Sequence, residues 1–76
     1  MDVRKRVSIN LKRLRQGSGL SQEELAFESG LHRTYISGVE RGVRNPTILV
    51  LEKIAVALKV TATELLEETP RRKKLR

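Results

Sequence analysis

The sequence has no cysteine and no tryptophan, and its aromatic content is one tyrosine and one phenylalanine in 76 residues. Without cysteine there is neither a disulfide framework nor a thiolate metal site. Histidine and aspartate occur once each, as His32 and Asp2. That leaves too few groups for acid–base pairing or a metal shell, so neither an enzyme nor a cofactor or metal protein is expected. Two aromatics cannot form the stacking platforms on which single-stranded bases are read. Apolar runs are short, as at residues 48–51, far below the roughly 20 residues of a membrane span. Met1-Asp2 opens no signal peptide, so a cytoplasmic chain without a membrane partner is expected.

What is present suits one small folded domain: 38% hydrophobic and 33% charged residues,. The net charge of +7 is unevenly spread. Residues 1–20 carry +5, residues 21–32 carry −3, residues 33–46 carry +2, residues 47–68 carry −2 and residues 69–76 carry +5. A basic excess in so small a chain points to a polyanion, nucleic acid first and an anionic membrane surface second. A solubility charge with a basic tail gives the same total, so charge alone does not choose.

No stretch alternates as a strand does, and the chain reads as five short helices: all-α. The first is expected over residues 2–16, where Val7, Leu11 and Leu14 form one stripe with Val3 above it, and it stops at Gly17-Ser18-Gly19,. Ser21-Gln22-Glu23-Glu24 is a capping box opening the second helix, which ends near Ser29-Gly30,. The third spans residues 32–41 with Ile36 and Val39 inward, and Asn45-Pro46 breaks the chain,. The fourth follows Thr47, with Leu51, Ile54, Ala55 and Leu58 in helical register, and a second capping box, Thr61-Ala62-Thr63-Glu64, opens the fifth,. Two parts are expected: a domain over residues 1–68 and a loose basic tail over 69–76. The core is assigned to those inward positions with Leu20, Leu25, Ala26, Leu31 and Leu65. Leu49, Val50 and Leu66 are left over, with Ile48 beside them.

Residues 21–41 hold the informative constellation. Ala26 lies one helical turn before Gly30, with Ile36 six residues after it and Val39 three later. A small residue at 26 lets two helices cross steeply, glycine at 30 turns the chain, and Ile36 and Val39 anchor the third helix by one side only. That spacing predicts a helix-turn-helix, whose second helix enters a major groove.

The runs Leu20-Ser21-Gln22-Glu23-Glu24-Leu25-Ala26, Tyr35-Ile36-Ser37-Gly38-Val39-Glu40-Arg41-Gly42 and Asn45-Pro46-Thr47 resemble the Cro/C1-type (XRE-family) DNA-binding domain over about residues 6–66. Residues 33–41 further resemble the controller proteins of bacterial restriction–modification systems. The resemblance implies a five-helix, lambda-repressor-like domain in a bacterial or phage, nucleoid-associated regulator. It also implies a structural salt bridge between Arg15 and Glu40. For a controller it implies control of its own promoter and of an endonuclease gene, with RNA polymerase as a possible partner.

The chemistry of the third helix gives base-reading roles to Arg33, Thr34 and Ser37; the arginine fork fits guanine O6 and N7. A phosphate contact is the competing role for Arg33. The Gln22 amide is expected on a phosphate at the second helix's N-terminus. Tyr35, Arg41, Arg44 and Asn45 are further backbone candidates, and the resemblance adds a minor-groove role for Arg44 or Asn45. His32 reads as an N-cap or phosphate neighbour. Gly38 weakens a helix, either for a close approach or as a tolerated defect. One domain makes few base contacts, so a homodimer on a palindromic operator is expected, joined through Leu49, Leu65 and Leu66. The alternative is an antitoxin or phage or plasmid repressor of this fold that acts partly through a protein partner.

Overall fold

Residues 2–68 are described by a computed structural model and form five helices: α1 Val3–Gly17, α2 Gln22–Ser29, α3 Arg33–Glu40, α4 Ile48–Leu58 and α5 Ala62–Leu66. No strand occurs among the described residues. The tail assigned to residues 69–76 lies outside them.

Each helix starts where its cap stands. Asp2 accepts from the Arg4 amide at 2.7 Å. In α2 both halves of the capping box form: the Glu24 amide donates to Ser21 Oγ at 2.9 Å and the Ser21 amide to Glu24 Oε1 at 2.8 Å. Thr47 accepts from the Val50 amide, and Thr61 with Glu64 closes the second box. His32 is the exception. It occupies the N-cap position of α3 but makes no side-chain cap hydrogen bond.

The core gathers one face from every helix. Leu11, Leu25, Ile36, Ile54 and Leu65 are fully buried at its centre, with Val7, Ala26, Val39, Leu51, Ala55 and Leu58 around them. Leu14, Leu20 and Leu31, expected inside, are only partly buried and pack on its rim. Val3 is exposed, because the α1 stripe meets the core only from Val7 onward. Asn10 sits in that stripe and is buried too. Its Nδ2 donates to the backbone oxygens of Leu65 at 3.0 Å and Glu67 at 2.8 Å, tying α1 to the open end of α5. The docking of α5 explains a correction: Leu65, expected at a dimer face, is 0% exposed and packs wholly within its own chain.

Candidate nucleic-acid interface

The α2–α3 corner turns at Gly30, whose φ of 72° lies in the left-handed region that side-chain-bearing residues avoid,. The Leu31 amide then donates to the Ala26 oxygen at 2.9 Å, locking the corner. Ile36 and Val39 fasten α3 to the core, and Arg33 and Thr34 stand exposed on its outer side. Ser37 is half-buried, and its Oγ lies 3.4 Å from Arg41 Nε. Arg41, Arg44 and Asn45 are exposed in the loop that follows α3, and the first two lie against that helix, at Ser37 and Gly38. Tyr35 is half-buried, with the Arg44 guanidinium 5.8 Å from its ring centroid.

A polar clamp lies beneath this surface. Arg15 grips the Glu40 carboxylate in a fork, Nε to Oε2 at 2.5 Å and Nη2 to Oε1 at 3.1 Å, and its Nη1 donates to the Leu20 oxygen at 2.7 Å. The side chains are 10% and 4% exposed, so little water reaches the pair. Burial is the strongest single influence on Glu40 and opposes its charge. Hydrogen bonds from Arg15 and Gln22, with the positive charges of Arg15 and Lys12, outweigh burial and hold the carboxyl below its ordinary 4.5,. The Glu40 carboxylate in turn raises the Arg15 guanidinium above its ordinary value. Ser8 Oγ donates to the Glu40 backbone oxygen, adding a second tie from α1 to the end of α3.

Gln22 gains a partner within the chain: its Nε2 donates to Glu40 Oε1 at 3.0 Å, which uses one of the two hydrogens of that amide,. The clamp therefore has three side chains, from α1, α2 and α3. The sequence contained a hint in Gln22 itself, a residue able to donate and accept at the first turn of α2, but nothing in spacing aimed it at α3. Among the described residues no group of three or more histidine, cysteine, aspartate or glutamate side chains gathers to hold a metal ion. No helix among them is long and apolar enough to cross a membrane.

Two helices locked at a glycine corner, with the second presenting an outer face of arginine, threonine and serine, define a helix-turn-helix DNA-binding domain. The Helix-turn-helix family model HTH_3 matches residues 11–65, and the chain belongs to that family of DNA-binding transcriptional regulators. It is 48% identical over 73 residues to the uncharacterized HTH-type transcriptional regulator y4dJ of Sinorhizobium fredii, covering 92% of this chain and 95% of that one. It is 56% identical over 52 residues to control protein C.BamHI of Bacillus amyloliquefaciens, covering 68% of this chain and 64% of that one. The crystal structure of the restriction–modification controller protein C.AhdI from Aeromonas hydrophila superposes with a TM-score of 0.79 at 47% identity, covering 82% of this chain and 94% of that one.

Proposed function

We propose that the chain is a restriction–modification controller protein, a homodimer that reads a palindromic operator in double-stranded DNA. The observation that carries the reading is the outer face of α3, where Arg33 and Thr34 are exposed beside Ser37 and the basic residues Arg41 and Arg44. Arg33 reads guanine in the major groove, Thr34 and Ser37 contact neighbouring bases, and Arg41, Arg44, Asn45 and Tyr35 hold the flanking backbone. The likeness to two controller proteins supports the subtype. The dimer is supported by apolar surface elsewhere: Ile48, Leu49 and Val56 on α4 are 83%, 76% and 64% exposed, and Leu66 at the end of α5 is 38% exposed. A second copy covering this face would double the base contacts and impose twofold symmetry on the operator, with half-sites about 34–36 Å apart. RNA polymerase contact at the controlled promoter belongs to the same reading.

Selection of bound sequences from random duplex DNA tests it. The expected result is an inverted repeat, bound with an affinity that falls with salt at a slope near −0.9 per phosphate neutralised. Recovery of no preferred sequence, or binding insensitive to salt, overturns the proposal.

A further inference from the structure

Gly38 is the one glycine of five at which an added Cβ would meet anything within 4 Å. It lies inside α3 and is buried, although it follows Thr34 by one turn on the side away from Ile36. What covers it is Arg44. A Cβ built on Gly38 would collide with Arg44 Cγ and would stand 3.2 Å from Nε and 3.4 Å from Cδ. The stem of Arg44 therefore runs across the bare Cα, and its guanidinium ends over the Tyr35 ring, 5.8 Å from the centroid and within cation–π range,. The backbone sets this path. Gly42 turns with φ 78°, and the Val43 amide donates to the Gly38 oxygen at 2.9 Å, folding the loop back along α3. Gly38 itself has no left-handed φ to justify a glycine, which only weakens a helix,. Room for Arg44 is the physical reason left.

We propose that Gly38 is a positioning residue: it leaves a seat on the outer face of α3 from which Arg44 contacts the duplex, supplying the side chain that the recognition helix lacks at that position. The inference rests on the DNA-binding role assigned to this face. It makes the recognition surface composite, built from α3 and from a loop residue laid upon it.

The test compares Gly38→Ala, Arg44→Ala and the double variant on the duplex that the wild-type chain selects from random sequences. Gly38→Ala should melt at or above the wild-type temperature, since alanine is the better helix former and an exposed arginine can swing into water. Its affinity should nonetheless fall about tenfold, the loss expected for one good arginine contact. Arg44→Ala should fall by the same factor, and the double variant should be no weaker than either. Gly38→Ala binding like wild type, or the two losses multiplying, overturns the proposal. A measurement on the wild type alone guards against a folding defect. The Arg44 side-chain protons should resonate upfield because of the Tyr35 ring, and should remain so in the wild-type complex with that duplex. Loss of the upfield shift on binding means that Arg44 leaves its seat, which also overturns the proposal. If no preferred duplex emerges from selection, the regulator reading itself has failed; if one emerges and Gly38→Ala binds it normally, this inference alone has failed.

Discussion

α3 and α4 are neighbours in sequence, each with an inner face in the same core, yet their outer faces are opposite in chemistry. α3 shows Arg33, Thr34 and Ser37, whereas α4 shows Ile48, Leu49 and Val56. Their supports differ as well. Among the described residues α4 rests on hydrocarbon, through Leu51, Ile54, Ala55 and Leu58, while the end of α3 rests on a buried ion pair. Hydrocarbon contacts are non-directional and let a helix settle where volume permits. A forked arginine–carboxylate pair fixes an angle. A helix that must present side chains to a duplex in register gains from the second kind of support, and a helix that offers an apolar face to a second copy needs only the first.

The largest effect that would break this comparison is in the clamp. Arg15→Ala should cost about 3–5 kcal/mol of unfolding free energy, because it strands the Glu40 carboxylate under α3. Replacing both, as Arg15→Met with Glu40→Leu, should recover most of that stability, but with weaker discrimination among duplexes if the clamp fixes the angle of α3. Denaturant melts with a double-mutant cycle read the coupling; a value near zero removes the distinction between the two supports. The same pair predicts an acid limb. The folded Glu40 carboxyl sits below 4.5, so its stabilisation is complete above that pH and is lost as pH falls through the lowered value,. Glu40→Gln should flatten that limb.

The outer face of α4 comes next. Leu49→Lys should weaken self-association by about 1.5–3 kcal/mol, the contribution of one buried leucine. It should leave the monomer's melting unchanged, because Leu49 is 76% exposed within its own chain. Sedimentation over a dilution series reads the first, and a thermal melt at a concentration where the chain is monomeric reads the second. On the α3 side, Arg33→Ala should cost about 1–3 kcal/mol on the preferred duplex and flatten preference at one base pair. An equal loss on every duplex would move Arg33 to the phosphates and make the two outer faces less different than proposed.

The helices themselves were legible because each is bounded by local chemistry. Ser21 with Glu24 and Thr61 with Glu64 are boxes written within four residues, and Gly30 marks its own corner. The apolar register of α4 needed no tertiary knowledge either. The clamp was less legible. Arg15 and Glu40 stand 25 positions apart, and only resemblance joined them; Gln22 reaches Glu40 across a helix crossing that no periodicity encodes. Asn10 is hidden from an apolar pattern by its polarity, although it follows Val7 by three and precedes Leu14 by four, which places it in the inward stripe. Leu65 was assigned two roles that compete for one side chain, and burial decided between them. Gly38 is legible as a weak point in a helix, but its cause lies in Arg44, beyond the turn at Gly42.

The smallest effect concerns how the two helical pairs end. α2 stops on Gly30 in the left-handed region, where glycine is at ease, and α4 stops on Lys59 in the same region, with φ 61°. A side chain there costs roughly 1 kcal/mol through its Cβ. Lys59→Gly removes that strain. Glycine, however, also widens the unfolded ensemble by about 0.5–1 kcal/mol, and the variant loses a positive charge beside the α4 C-terminus that contributes about 0.3–1 kcal/mol. These opposing terms leave a net change of less than about 1 kcal/mol, a melting shift of no more than several degrees in a domain of this size. Lys59→Val, by contrast, keeps the strain, adds a branch at Cβ and loses the charge, so it should melt clearly lower than Lys59→Gly. Neither variant should alter duplex affinity, since Lys59 closes the end of α4 remote from the loop that follows α3. A change in affinity would show that the end of α4 and the outer face of α3 are mechanically coupled, and the division between a rigid reading helix and a permissive association helix would then have to be given up.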